Sequence, residues 1–130
     1  MPNIVSTVTV VQASDVAFKV ANLTHPALTG KLFYRVLGGV LEVHCQAKLN
    51  SAVTSGAVLG TVPVTLGVSA MGLLYRYTSD ADTSPDVRRC TIDTTGVITN
   101  TSGLAFNIGY TLMFDMTIPI GSTEGGTYEK

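Results

Sequence analysis

The sequence predicts an all-β domain, either an antiparallel β-sandwich or a jelly-roll or Greek-key barrel. Three observations carry this. Thr and Val dominate the chain, and β-branched side chains favour strands over helices. Several segments alternate apolar and polar residues with period two, and none repeats at i, i+3, i+4 and i+7 for three turns. Turn signals recur at short spacing: Thr29-Gly30, Gly38-Gly39, Ser55-Gly56, Asp80 to Asp86, Thr95-Gly96 and Ser102-Gly103. Many short strands punctuated this way build sandwiches and barrels.

In chain order, strands are expected at 4–12 (IVSTVTVVQ), 15–21 (DVAFKVA) and 31–37 (KLFYRVL). The clearest one is VLEVHCQAKL. Leu41, Val43, Cys45, Ala47 and Leu49 point one way, and Glu42, His44, Gln46 and Lys48 the other, as in a strand with one wet face. A strand at 58–66 contains Pro63, so it must be an edge or carry a bulge. Strand 72–78 (GLLYRYT) puts Tyr75 and Tyr77 on the face of Leu73, either as core residues or as aromatics that stack on a ligand, and Arg76 on the opposite, outward face. In VRRCTID, Cys90 and Ile92 are the buried members. Weaker strands fall near 97–99 and 103–108. The last strand places Tyr110, Leu112, Phe114, Met116, Ile118 and Ile120 on one face. The tail after residue 121 has no pattern and is expected to be flexible.

The 130 residues fit one domain, and composition narrows what it can do. Hydrophobic residues make up 45% and charged residues 13%, about half the usual share of roughly 25%. A net charge of −1 with scattered bases argues against nucleic-acid binding, which needs Lys and Arg gathered on one face. A chain this apolar is not disordered, and no apolar run approaches the roughly 18 residues of a membrane-spanning helix. The opening MPNIVSTVTVV lacks a basic stretch followed by an apolar run, so no signal peptide is expected. Cys45 and Cys90 read as separate buried thiols, with a disulfide as the alternative.

Catalytic and metal motifs are sparse. There are two histidines, His25 and His44, and no GxSxG, GxxxxGK[ST] or GxGxxG, so no enzyme activity and no cofactor are expected. Zinc is disfavoured because His44 and Cys45, adjacent on a strand, face opposite ways. Asp80 to Asp86 spaces oxygen ligands as D-x-D-x-S-x-D. Pro85 stands where a calcium loop has Gly, so an Asx-rich turn is the preferred reading over calcium. Sequons begin at Asn22 and Asn100 and are read as coincidences of composition. What remains is a polar and aromatic group: His44, Tyr75, Arg76, Tyr77, Asp80, Asp82, Asp86 and Arg88, around two hairpin strands. Aromatic faces stack on sugar rings while Asp, Arg and His bind hydroxyls, so these are the candidate ligand-binding residues.

Residues from about 31 to 121 resemble the head domains of trimeric phage tail-fibre or baseplate receptor-binding proteins. The resemblance rests on Thr61-Val62-Pro63 after an early strand and polar turn, on the turn Ile92-Asp93-Thr94-Thr95-Gly96-Val97-Ile98, and on a closing strand, Tyr110 to Ile120. It implies a homotrimer that joins other phage tail proteins in the virion, after assembly in the host cytoplasm. It also implies recognition of a host cell-wall saccharide without catalysis. Residues 1–30 would then be N-terminal strands or a shoulder, 31–121 the head, and 122–130 a tail. The alternative is a structural virion protein, in the baseplate, collar or capsid decoration, that binds only other virion proteins.

Overall fold

The alternating runs of the sequence become eight strands in the computed structural model, which describes residues 17–79, 81, 83–101 and 111–120. They are β1 (Lys19–Leu23), β2 (Leu28–Leu37), β3 (Val40–Leu49), β4 (Val58–Thr61), β5 (Ala70–Tyr77), β6 (Asp86–Ile92), β7 (Val97–Asn100) and β8 (Thr111–Pro119). The expected strands at 4–12 and 103–108, residue Tyr110 and the tail lie outside the described residues.

Every pairing is antiparallel, and the sheet closes on itself in the order β1-β2-β3-β8-β5-β6-β7-β4. Two three-stranded meanders, β1-β2-β3 and β5-β6-β7, are joined on one side by β8 and on the other by the short β4. The all-β antiparallel architecture is as expected, and it takes the form of a closed barrel built from two meanders, which leaves none of these eight strands as a free sheet edge. Proline ended β4 early: the ladder stops at Thr61, before Pro63, after a register shift between Val58 and Gly60.

Local chemistry sets the turns. Leu37 pairs with Val40, so Gly38 and Gly39 are the two central residues of the β2–β3 hairpin, with φ of 62° and 76°. A type I′ turn needs positive φ at both, and two glycines supply it without strain. Between β6 and β7, Asp93 organises the turn: its Oδ1 accepts from the Thr95 N–H (2.9 Å), the Thr95 hydroxyl (2.7 Å) and the Val97 N–H (3.0 Å). These bonds, led by the hydroxyl, hold its carboxyl below the usual aspartate value of 3.8. Gly96 follows with φ of 88°, where a Cβ would collide with the Val62 carbonyl oxygen.

The period-two faces of β3 and β8 point as the sequence requires. Leu41, Val43, Cys45, Ala47 and Leu49 are buried, as are Leu112, Phe114, Met116, Ile118 and Ile120. With Leu32, Leu59, Leu74, Cys90, Ile92 and Ile98 they fill the barrel. Both cysteines are free and fully buried, and burial pushes their thiols up to about 12. Iodoacetamide at about pH 8 is therefore expected to leave both unmodified in the folded chain and to alkylate both in denaturant, as read by mass. Asn100, the start of a sequon, is buried as well. Its amide nitrogen donates to the Thr54 carbonyl (3.1 Å) and its backbone joins Gly56 and Ala57, pinning the β3–β4 connection.

Strand β5 departs from expectation. Leu74 and Arg76 point inward, whereas Leu73, Tyr75 and Tyr77 point outward. The strand's phase is set by its neighbours: Arg76 pairs across from Leu112 of β8, and Gly72 from Cys90 of β6, both core-facing.

Candidate outer-face binding site

The candidate residues divide into two groups on opposite sides of the barrel wall. Arg76, expected on the surface, is 7% exposed and lies inside one end of the barrel. There its guanidinium pairs with Asp86, whose carboxylate also lies 3.9 Å from Arg88 Nη2. Arg88 Nη1 donates to the Val87 carbonyl (3.2 Å). Arg76, Asp86 and Arg88 thus form an ion cluster at the loop end of the β5–β6 hairpin, with the guanidinium of Arg76 buried and the Asp86 side chain half-exposed. Asp80 and Asp82, in the loop between those strands, lie outside the described residues.

His44, Tyr75 and Tyr77 belong to the outer face of β2, β3, β8 and β5, where register builds rows across the strands. One row runs Thr29, Lys48, Thr111, Tyr77. The next runs Lys31, Gln46, Met113, Tyr75. A third runs Val20, Phe33, His44, Asp115. Directly opposed side chains on one face sit close enough to interact, and here they do. His44 Nδ1 pairs with Asp115 Oδ1, and the Phe33 ring stacks on the imidazole with centroids 6.4 Å apart and planes 30° apart. One row further, Arg35 Nε donates to Glu42 Oε1 (2.8 Å), while its guanidinium sits 4.4 Å from the centre of the Phe18 ring.

Three depressions follow these rows. A cavity of about 290 Å³ is lined by Phe18, Glu42, His44, Asp115 and Thr117. A larger one of about 410 Å³ lies over Thr29, Lys31, Phe33, Gln46, Lys48 and Thr111. A notch of about 150 Å³ between Tyr77, Ser79 and Met113 shares Gln46 and Thr111 with the second, so these two adjoin. The largest falls within the roughly 300–1,000 Å³ of small-molecule sites. The face combines aromatic rings, a carboxylate–imidazole pair, amide and hydroxyl groups and two ammonium groups. That chemistry suits a hydroxyl-rich ring: an apolar face to stack, and donors and acceptors at its rim. His44 and Asp115 remain 43% and 69% exposed, so the pair is open to a ligand from solvent.

Phe33, Gln46, Asp115, Lys31 and Lys48 were not among the candidates. Their signal was present for β3 and β8, whose outward phase names Gln46, Lys48 and Asp115. Phe33 and Lys31 join them only through the pairing of β2 with β3. Among described residues, His25 lies away from this face, in the β1–β2 turn, where its Nδ1 accepts from the Ala27 N–H (3.0 Å).

No family model and no curated relative matches the chain. Among solved structures, the chain is similar to the head domain of phage bIL170, a crystal structure described in connection with a common fold for the receptor-binding domains of lactococcal phages. The TM-score is 0.59 at 19% identity, over 82% of this chain and 100% of that one. The two share a fold.

Proposed function

We propose that the chain is the receptor-binding head of a phage adhesion protein, attaching a virion to a saccharide on the host cell surface without catalysing a reaction. The observation that carries this is the fold match over the entire bIL170 head domain. The outer face of β2, β3, β8 and β5 is the binding surface in this reading, with His44, Tyr75 and Tyr77 as ligand residues and Phe33, Gln46 and Asp115 beside them. Arg76, Asp86 and Arg88 hold the barrel end.

A homotrimer joined to other tail proteins completes the proposal. Low charge supports it, as does an apolar strip on β5 and β6. Met71, Leu73 and Val87 are 64%, 45% and 46% exposed, and Tyr75 pairs with Val87 next to them. Such a strip favours burial against another protein. Leu37, Val40 and Met113, apolar residues on other strands, are half-exposed. Presented as an array, weak saccharide sites gain strength through avidity.

The same strip favours a second reading, a structural virion protein whose contacts are all with other virion proteins. Binding to purified bacterial cell-wall polysaccharides, measured by biolayer interferometry with light scattering for oligomeric state, separates the two. The adhesion reading expects trimers that bind at least one polysaccharide. It also expects Tyr77→Ala and His44→Ala each to weaken binding about tenfold with thermal midpoints unchanged. Trimers that bind no polysaccharide yet join another virion protein favour the structural reading, and a monomer argues against the adhesion-head reading.

A further inference from the structure

Lys31 and Lys48 occupy diagonal positions on the outer faces of β2 and β3, since Lys31 pairs with Gln46 and Lys48 with Thr29. Diagonal neighbours of this kind lie roughly 7–8 Å apart. Both line the 410 Å³ depression, and no carboxylate lines it with them. Among the described residues, the basic groups ion-paired to acids are Arg35, His44, Arg76 and Arg88; neither lysine is. In a chain with only eight Lys and Arg, two like charges are thus held on one groove without a counter-charge among the described residues. The remaining lining is Thr29, Gln46 and Thr111, which offer neutral donors and acceptors, and the Phe33 ring. The adjoining notch brings Tyr77 to the far end.

From this arrangement we infer that the groove takes an acidic saccharide, whose anionic substituent sits between the Lys31 and Lys48 ammonium groups. The sugar ring extends past Gln46 and Thr111 towards Tyr77. This rests on the saccharide-binding reading and adds to it the charge and position of the ligand. Two ammonium groups satisfy one carboxylate or phosphate oxygen pair, and charge-assisted hydrogen bonds are the stronger kind. An anion in the groove also relieves the repulsion between the two lysines. The inference separates the outer face into two parts: a cationic groove for the anionic unit, and the His44–Asp115 cavity for neutral hydroxyls.

A glycan array carrying neutral, uronic-acid and phosphorylated glycans, read with the wild-type chain and the Lys31→Gln/Lys48→Gln variant, tests this. Both lysines are exposed, so the double variant is expected to keep the wild-type thermal midpoint. The expected result is binding concentrated on acidic glycans, lowered tenfold or more in the variant and lowered between roughly 0.15 and 1 M salt. Whether the uronic or the phosphorylated glycans respond identifies the source of the anion. Binding confined to neutral glycans, or acidic binding that the variant retains, overturns the inference and leaves the adhesion reading standing. Absence of binding to every glycan overturns both.

Discussion

Phe114→Ala is expected to lower the stability of the barrel by about 3–5 kcal/mol, measured by chemical denaturation. Among the described residues, Phe114 is the largest fully buried side chain, at 1% exposure, and sits on β8 across from Cys45. β8 is the strand that joins the two meanders, between β3 and β5. Truncating the ring leaves a cavity where the wall of the barrel is closed by pairings distant in sequence, and neighbours fixed in a closed sheet relax poorly into it. Against a typical domain stability of roughly 5–15 kcal/mol, the loss consumes much of the margin. Phe114→Leu, which keeps most of the volume, is expected to cost clearly less. Equal losses for Ala and Leu would show that the lost volume does not set the cost, and a loss for Ala of about 1 kcal/mol or less would show that the site is not tightly packed.

Asp86→Ala is the second large effect, expected at about 1–3 kcal/mol. It removes the carboxylate that pairs with the buried Arg76 guanidinium and sits near Arg88. The Asp86 side chain is 47% exposed, so the full penalty for a buried ion pair does not apply. Replacing the partner too, in Arg76→Met/Asp86→Ala, is expected to recover part of the loss, because no unpaired charge then remains at the barrel end. Saccharide binding is expected to persist in both variants wherever they are folded. Binding lost with the thermal midpoint intact would instead move the ligand site to the β5–β6 end of the barrel, where the sequence had placed part of it.

That difference shows which information the sequence holds. The faces of β3 and β8 were legible because their alternation is uninterrupted: Leu41 to Leu49 and Leu112 to Ile120 admit a single phase. GLLYRYT admits two, since Leu73 and Leu74 are consecutive and either can lead. Placing the tyrosines inward with Leu73 was the reading that kept Arg76 in water. The structure takes the other phase because β8 and β6 impose it. Gly72, facing Cys90, leaves room for the Met116 thioether that a Cβ would strike, and Asp86 compensates the inward guanidinium. Neither partner is near β5 in a way that local pattern reveals.

The binding face was half legible for the same reason. His44 and Tyr77 were named from residue chemistry alone. The row that joins His44 to Phe33 and Asp115 needs the pairing of three strands, with His44 and Asp115 separated by 71 positions in the chain. The glycine turn at Gly38-Gly39 and the Asp93–Gly96 turn, by contrast, are local and were read directly from dipeptide chemistry. Long-range register therefore separates what the sequence discloses from what it withholds here.

The central claim is that a host saccharide binds on the outer face of β2, β3, β8 and β5. A structure of the chain soaked with a binding oligosaccharide tests it most directly. The account predicts sugar density over Gln46 and Thr111, with contacts to Tyr77 and to the Lys31–Lys48 or His44–Asp115 side of that face. Sugar bound only at the Arg76–Asp86–Arg88 end of the barrel, or only on the β4–β7 wall, would contradict it.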